Sequence, residues 1–347
     1  MCKDSFQPVF CNIIPPDILE NIAENGTAKQ RDQAYQAMNV SAQMRGQREV
    51  LTTFAALGMT PTGTMRRTIY DTKNSMNLPG KLVRSEGGSK SKDTAVNEAY
   101  DGSGKTYKFF LNVFERNSID DRGMRLDSTV HFRRSYNNAF WNGQQMVYGD
   151  GDGLIFNRFT KSLDVIGHEL THGVTQFEAG LVYQDQPGAL NEHFSDVFGS
   201  LVKQYSKKKT AKKADWLIGE GLFTSNIKGV ALRSMKAPGT AYDDPLIGKD
   251  PQPAHMKNFV KTTADNGGVH INSGIPNKAF CDLAIALGGH SWEKAGRIWY
   301  ITLRDKVQPM TQFSECRDMT VEVARTLYGD NSTEQKAVIQ AWAGVGL

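Results

Sequence analysis

Cysteine and long hydrophobic runs are scarce in this sequence. Four cysteines occur in 347 residues and no two are spaced as C-x-x-C, which excludes a disulfide framework and leaves the redox compartment open. No run of about 18 apolar residues occurs, so the sequence predicts no transmembrane helix. The opening segment, MCKDSFQPVFCNIIPPDILE, has neither a continuous apolar stretch nor a small-residue cleavage site, so we expect no secretory signal peptide of the usual kind.

Excess positive charge is confined to one segment. The net charge is +4, and six lysines lie within residues 203–213, so the rest of the chain is slightly acidic. A short lysine run is typical of a solvated helix end, whereas a nucleic-acid site needs aromatic side chains among the basic ones. Only Tyr205 and Trp216 flank the run. We therefore expect neither a nucleic-acid partner nor a membrane partner.

The texture of the sequence changes twice along the chain. Hydrophobic residues make up 39% and charged residues 22%, as in globular proteins, and the length exceeds that of a single core. Residues 12–57 have helical spacing, and GMTPTGT at 58–64 is typical of a linker. Strand-like runs then alternate with turns up to about residue 159, and helices dominate from residue 162 onward. The pattern predicts an α+β fold with a short helical N-terminal segment, a sheet-rich half and a helical half.

Individual elements can be predicted within these parts. The sheet-rich half contains one helix near 95–113 and five strand-like runs, which are MRRTIYDT, KLVRSEG, STVHF, QMVYGDG and LIFNRF. In the helical half, apolar residues recur three or four apart in segments at about 162–179, 189–205, 271–287, 291–306, 312–328 and 332–343. Ser162 is placed to cap the first of these helices, and Ser332-x-x-Gln335 to open the last with a capping box.

The motif HELTH occupies residues 168–172, in the first of these helices. His168 and His172 are four residues apart, so their imidazoles project from one helix face and can share one zinc ion. Glu169 is rotated to one side, where it can take a proton from a metal-activated water. On its own, so short a motif also occurs by chance with two surface histidines.

The segment NEHFSD in the second helix adds a third candidate ligand. Glu192 follows the second histidine across a turn bounded by Gly180, and two antiparallel helices joined there can bring it opposite the histidines. Two histidines and one glutamate leave one coordination position open, as in catalytic rather than structural zinc sites. Asp196 can accept the free ring N–H of a zinc-bound histidine, and the alternative is a solvated helix carboxylate. His193 is rotated away and is interpreted as structural.

Longer blocks of the sequence resemble one protease family. HELTH, GLVYQDQPGALNEHFSD, NNAFWNGQQMVYGDGDG, ALRSM and DNGGVHINSG are similar to the signature segments of the thermolysin-like zinc metalloproteases and occur in the family's order across about residues 66–347. The closest resemblance is to the protealysin-like branch, whose precursors carry a short pro-segment with a Pro-Pro motif, here PPDIL at 15–19. The resemblance implies a pro-segment at 1–60, a sheet-rich N-terminal catalytic domain at 61–182 that includes the HELTH helix, and a helical C-terminal domain at 183–347, with the zinc site between the two domains.

The resemblance also implies a role for each residue that matches the family's functional positions. The matching positions are, as zinc ligands, His168, His172 and Glu192; as general base, Glu169; as donors to the oxyanion, His270, oriented by Asp265, and Tyr183; and as contacts to the substrate backbone, Arg233, Asn138 and Ala139. One zinc ion per chain is expected. A zinc-bearing binding protein without catalysis would lack Glu169 or the oxyanion donors, and this chain has both.

The implied enzyme is a zinc-dependent neutral endopeptidase made as a self-processed zymogen. We expect a monomer whose own pro-segment inhibits it until cleavage within about residues 48–64; an alternative has Cys11 capping the zinc. Secretion is favoured by the resemblance, and cytoplasmic retention is the alternative. The resemblance also implies an apolar pocket for the residue after the scissile bond, and hence cleavage before apolar residues, with a lining of Phe156, Phe159, Val165, Ile218 and Leu232.

One departure from the family concerns calcium. Asp164, Asp215 and Glu220 match three positions of the family's paired calcium site, but Lys203 takes the place of a bridging carboxylate. Calcium needs six to eight oxygen ligands and an ammonium group offers none. We therefore expect Lys203 to form an ion-pair cluster with the three carboxylates, which disrupts the paired site. The alternative is that Lys203 turns to solvent and one weaker calcium site remains.

Overall fold

The computed structural model describes the backbone of residues 11–51 and 63–347, and the side chains of 12–41 and 63–347. The helices in these ranges are α1 (Pro16–Asn25), α2 (Ala28–Leu51), α3 (Thr94–Phe114), α4 (Leu163–Glu178), α5 (Asp185–Ser206), α6 (Asp265–Asn272), α7 (Gly274–Leu287), α8 (Ala295–Asp305), α9 (Phe313–Tyr328) and α10 (Thr333–Gly344). The strands are β1 (Cys11–Asn12), β2 (Arg67–Asp71), β3 (Lys81–Ser85), β4 (Leu126–Val130), β5 (Ala139–Trp141), β6 (Met146–Tyr148), β7 (Leu217–Ile218), β8 (Arg233–Ser234), β9 (Asp243–Asp244) and β10 (Gly248–Lys249). Within the described ranges, none of the helices combines the length and the apolar character that a membrane span requires.

Six of the strands form one sheet in the order β1-β5-β6-β4-β2-β3. The inner pairs β2/β4 and β4/β6 are parallel, and the pairs β2/β3, β5/β6 and β1/β5 are antiparallel. Strands β5 and β6 are buried along their whole length, and α3 and α4 pack against the sheet. The edge of β5 is covered by β1, in which Asn12 pairs with Phe140. The N-terminal segment therefore completes the sheet.

The N-terminal segment is held on the rest of the chain by an apolar helix face. Pro15 and Pro16 stand at the start of α1, where a backbone N–H would have no helical partner. Ile18, Leu19 and Ile22 follow at helical spacing and are buried. Helix α1 packs on α2 and lies beside the β9–β10 hairpin. The two helices thus form a helical hairpin docked on the rest of the chain.

Helices α4 and α5 pack closely along their length because two glycines face each other. A Cβ atom added at Gly199 would lie 2.5 Å from the carbonyl oxygen of Asp164, and one at Gly167 would lie 3.1 Å from the Gly199 Cα atom. Contacts this short leave no room for a larger side chain. The close approach places the NEHFSD segment of α5 directly against the HELTH segment of α4.

The predicted α+β architecture, with a sheet-bearing part and a helical part, is confirmed, but one predicted strand is wrong. In LIFNRF, only Phe156 forms an isolated bridge, to Phe223. The reason is local: Asp152 Oδ1 accepts the backbone N–H groups of Leu154, Ile155 and Phe156 at 2.9, 2.8 and 3.1 Å. A side chain that satisfies three successive N–H groups holds the segment in a turn.

Both predicted helix caps differ from expectation in detail. Ser162 occupies the N-cap position of α4, but its hydroxyl donates to the Asp164 carboxylate instead of accepting from the helix. Ser332 accepts from the backbone of Gln335 at 3.2 Å, while the Gln335 side chain accepts from Asn331. Only half of the predicted capping box therefore forms.

Several expectations fall on parts of the chain that the structure does not describe. The 58–64 linker, most of the expected cleavage zone at 48–64 and the side chain of Cys11 lie wholly or largely outside the described residues. The domain boundaries near residues 60 and 182 stay predictions.

Candidate metal and catalytic site

Three buried side chains converge where α4 meets α5. The Nε2 atoms of His168 and His172 lie 3.0 Å apart. The carboxylate oxygens of Glu192 lie 3.5 Å from His168 Nε2 and 3.4 Å from His172 Nε2. Among the described residues, these three form the one group of His, Cys, Asp or Glu side chains arranged to hold a metal ion.

Hydrogen bonds behind the histidines fix which ring nitrogens face the centre. His168 Nδ1 lies 2.8 Å from Asp196 Oδ1, and His172 Nδ1 lies 2.8 Å from Asn191 Oδ1. Both oxygens are acceptors, so each Nδ1 carries the proton and each Nε2 presents a lone pair. Burial lowers the pKa of His168 to about 4 and that of His172 to about 3, which keeps both rings neutral.

This donor set fits a zinc ion. Two imidazole lone pairs 3.0 Å apart repel each other unless a cation lies between them and the carboxylate. Glu192 Oε2 is buried and has no hydrogen-bond partner, so it too is available to a metal. Two nitrogens and one carboxylate are the ligand set of catalytic zinc sites, which keep one position open.

Glu169 lies beside this centre but is not part of it. Its Oε2 accepts the backbone N–H of Trp141, on strand β5, at 2.9 Å. Its other oxygen, Oε1, is buried without a hydrogen-bond partner. Burial and the nearby Glu192 carboxylate raise the pKa of Glu169 well above its usual value. The side chain is therefore anchored at one oxygen and has the other available to exchange a proton.

His270 and Tyr183 lie beside the Glu192 carboxylate, with His270 Nε2 3.6 Å from Glu192 Oε1. Asp265 accepts from the His270 backbone at 2.8 Å and lies 2.6 Å from its Nδ1. Burial lowers the pKa of His270, but the Asp265 and Glu192 carboxylates outweigh it and raise the value to about 10. The Tyr183 hydroxyl donates to Glu192 and lies 3.2 Å from His270 Nε2. One O–H donor and one N–H donor thus meet next to the Glu192 carboxylate.

Asp196 links the metal site to Arg233. Arg233 donates from Nε to Oδ2 and from Nη2 to Oδ1 of Asp196, both at 2.8 Å, while Oδ1 also lies 2.8 Å from His168 Nδ1. Both side chains are buried. Burial raises the pKa of an aspartate, but the charges of Arg233 and the hydrogen bond from His168 hold the pKa of Asp196 far below its usual range. The predicted alternative, a solvated carboxylate, is wrong.

The N-terminal segment runs through the same site along strand β5. Ile13 N donates to the Ala139 carbonyl at 3.2 Å, and Ile14 N donates to Asn138 Oδ1 at 3.1 Å. Arg233 donates to the Ile13 carbonyl at 3.3 Å. His270 Nε2 lies 2.9 Å from the Asn12 carbonyl oxygen. The three groups expected to contact a substrate backbone and one expected oxyanion donor are thus engaged by this chain's own residues 12–14.

Lys203 is enclosed by acceptors at the far end of the α4–α5 pair. Its ammonium group lies 2.8 Å from Asp164 Oδ2 and 2.7 Å from Asp215 Oδ1, and donates to the Leu217 carbonyl at 2.6 Å. Burial lowers the pKa of Lys203, but the two carboxylates outweigh it and raise the value. Glu220 is not in this cluster; it lies 4.0 Å from Lys207. The expected three-carboxylate cluster is therefore a two-carboxylate cluster closed by a carbonyl.

All the residues singled out from the sequence as ligands, base, oxyanion donors and substrate contacts lie in this one region. Sequence reasoning missed the residues that support them. These are Asn191 and Ser195, which contact His172 Nδ1; Gln252, which donates to the His270 carbonyl; and Asn277, which donates to Asp196. Asn191 stands beside Glu192 in the same block and could have been found; Asn277 comes from a distant helix and gives no local signal.

A buried His-His-Glu centre, with another carboxylate beside it and a strand edge alongside, is typical of metallopeptidases. Two family descriptions match the chain: "Thermolysin metallopeptidase, catalytic domain" over residues 26–176 and "Thermolysin metallopeptidase, alpha-helical domain" over residues 179–347. The chain belongs to the thermolysin family of metallopeptidases.

Named relatives agree with this membership. The chain is 54% identical to "Extracellular metalloprotease" of Pectobacterium carotovorum subsp. carotovorum, over 97% of this chain and 96% of that protein. It is 50% identical to "Protease PrtS" of Photorhabdus sp. (strain Az29), over 97% and 92%. Among solved structures, "Precursor of Protealysin, Metalloproteinase from Serratia proteamaculans" matches with a TM-score of 0.88 and 54% identity, over 97% of this chain and 99% of that chain. The resemblance to the precursor form of this branch is confirmed.

Proposed function

We propose that this chain is a zinc endopeptidase in which Glu169 is the general base. His168, His172 and Glu192 would hold a zinc ion, which when bound would supply Lewis-acid activation of a water molecule and of the substrate carbonyl. Glu169 takes the proton of the attacking water at Oε1 and passes it to the departing amine. The observation that carries the proposal is the buried, unpartnered Oε1 next to a His-His-Glu centre.

The other side chains act on the peptide. His270 and Tyr183 donate to the oxygen that gains negative charge in the transition state, and each such donor contributes about 3–4 kcal/mol. Arg233 donates to the next carbonyl along the substrate. Asn138 and Ala139 align its backbone as an added strand on β5. Replacement of His270 by alanine tests this assignment: kcat should fall by 10²–10³-fold with zinc content unchanged.

In this proposal the pro-segment inhibits the site until it is removed. Its backbone at residues 12–14 makes the contacts assigned to a substrate, and its exit through Pro15 and Pro16 removes two N–H donors from the edge strand. We place the pro-segment at about residues 1–60 and its removal within 48–64. The test compares a full-length, cleavage-resistant chain with the processed one; equal activity would contradict the proposal.

The specificity pocket is assigned to an apolar cluster. Its five residues, Phe156, Phe159, Val165, Ile218 and Leu232, are each at most 1% exposed. A pocket of this kind favours apolar residues, with discrimination of roughly 1–3 kcal/mol for each methylene. Profiling of cleavage sites should therefore show Leu, Ile, Phe or Val after the scissile bond, and a charged preference would refute the assignment.

The two catalytic domains are proposed to meet near residue 182, with peptides and proteins as substrates of a monomeric enzyme. We place its action outside the cell, supported by the name of the relative that it matches nearly end to end. Sedimentation and cell fractionation test these points. Nucleic acid is not expected to bind, and a steep salt dependence of DNA binding would contradict that expectation.

Calcium is proposed to be dispensable for this enzyme. The support is that Lys203 fills the space between Asp164 and Asp215 with its own positive charge. An ammonium group in that position excludes a divalent cation by charge and by occupancy.

A further inference from the structure

His193 is buried next to the metal ligand Glu192 but faces away from the metal. It lies on α5 and has no exposed surface. Its Nδ1 is 2.8 Å from Asn277 Oδ1, on α7, and its Nε2 accepts from Trp299 Nε1, on α8, at 2.7 Å. The ring therefore connects three helices of the C-terminal part.

The direction of every hydrogen bond in this chain of residues is fixed by chemistry. An indole nitrogen can only donate, so His193 Nε2 must accept and Nδ1 must carry the proton. That proton goes to Asn277 Oδ1, which turns the amide so that its Nδ2 donates to Asp196 Oδ2, at 2.9 Å. A carboxylate can only accept, so the chain ends there. One orientation of the four groups therefore accounts for all three hydrogen bonds.

Asp196 is the residue on which the metal site and the substrate contact both depend. Its Oδ1 contacts His168, a proposed zinc ligand, and both of its oxygens accept from Arg233, which donates to the Ile13 carbonyl where a substrate carbonyl would lie. Asn277 is a further donor to the same carboxylate. A change in the Asn277 amide therefore alters the position of Asp196 and, through it, both the zinc ligand and the substrate contact.

We propose that Trp299, His193 and Asn277 form a positioning chain that fixes the Asp196 carboxylate and so sets zinc retention and substrate binding together. The proposal rests on the zinc endopeptidase function given above. His193 touches neither metal nor substrate; it acts through Asn277. If His193 had only a structural role, its size would matter and its hydrogen bond to Asn277 would not.

The test compares two substitutions of His193 in the full-length chain. His193→Leu removes the donor to Asn277, so that Asn277 Oδ1 loses its partner. His193→Asn keeps an N–H near the position of Nδ1. Outer partners of metal ligands typically change metal affinity about 10–100-fold. We expect the rate of zinc loss to a chelator to rise about tenfold in His193→Leu and to stay within about threefold of the parent in His193→Asn.

Measurements in an inactive variant and in the active enzyme test this proposal separately from the proposed function. Zinc loss, and the visible spectrum of the cobalt-substituted protein, are measured with Glu169→Gln, which prevents self-cleavage and needs no activity. KM and kcat are measured in the active enzyme, where His193→Leu should raise KM because Arg233 is displaced. A parent chain that retains zinc but hydrolyses nothing would refute the peptidase assignment and leave the zinc result standing.

The matched control is the other tryptophan of a stacked pair. Trp299 and Trp342 stack with ring centroids 6.0 Å apart, and Trp342 Nε1 donates to Thr320 Oγ1 at 2.9 Å, away from Asp196. Trp342→Phe should lower stability without changing zinc loss or KM. Trp299→Phe should increase zinc loss, and it replaces the leucine variant if that variant does not fold. Unchanged zinc loss in the His193→Leu and Trp299→Phe variants, or an equal rise in the His193→Asn and Trp342→Phe variants, would overturn the proposal.

Discussion

Lys203→Met should destabilise this protein because it leaves a buried carboxylate without its counter-ion. The Asp164 side chain is 0% exposed and that of Asp215 is 31% exposed, so most of the loss comes from Asp164. Removing one partner of a buried ion pair costs about 3–5 kcal/mol. At about 2 cal/mol/K of unfolding entropy per residue, 1 kcal/mol corresponds to about 1.4 °C for 347 residues, so the expected fall in Tm is about 4–7 °C.

Thermal unfolding followed by circular dichroism measures this effect, in a Glu169→Ala background so that self-digestion does not interfere. Lys207→Met is the matched control, because that lysine is exposed and lies 4.0 Å from the equally exposed Glu220. Surface pairs of this kind contribute about 0–1 kcal/mol, so its Tm should hardly change. Asp164→Asn added to Lys203→Met should restore part of the loss, since a neutral amide needs no counter-ion. A Lys203→Met variant that melts within about 2 °C of the parent would refute the reasoning.

Melting temperatures measured with and without calcium test whether Lys203 takes the place of a calcium ion. The parent should melt at the same temperature with added calcium and with a calcium-selective chelator that leaves zinc bound. Lys203→Glu places a third carboxylate beside Asp164 and Asp215, so its stability should become calcium-dependent. A fall of about ten degrees in the parent on calcium removal would contradict the assignment.

Two further predictions concern catalysis and inhibition. Glu169→Ala should retain about one zinc per chain by metal analysis but less than about a hundredth of the activity, because Glu169 supplies proton transfer and is not a ligand. Loss of zinc from this variant would contradict the general-base assignment. Burial, with the Asp265 charge, raises the pKa of Asp17 in the docked pro-segment from 3.8 to about 6. The docked state therefore holds this proton more tightly, so pro-segment affinity should be greatest below about pH 4 and fall up to about pH 6, by up to about a hundredfold. An Asp17→Asn pro-segment should bind without this pH dependence, measured as binding of the separate segment 1–60 to a Glu169→Ala chain produced without it; an unchanged profile would contradict the assignment.

Much of the site was predictable because its parts are local. The spacing of His168 and His172 puts both rings on one face of any α-helix, whatever surrounds it. The hydrophobic periodicity likewise predicted most helices and strands, because it depends only on residues that are close together in the sequence. The Lys203 ion pairs were expected only because the resemblance placed a lysine at a position of the family's calcium site, and the expectation was wrong in including Glu220.

Tertiary structure decided everything that depends on groups far apart in the chain. The close approach of α4 and α5 at Gly199 brings Glu192 to the histidines, and the Asp152 side chain turns LIFNRF out of the sheet. His193 showed no signal of its own, because its role depends on partners 84 and 106 residues away in the chain. Hydrogen-bond directions exist only once donors and acceptors are assembled, so the sequence pattern singled out the candidate ligands, and packing determined how they are held.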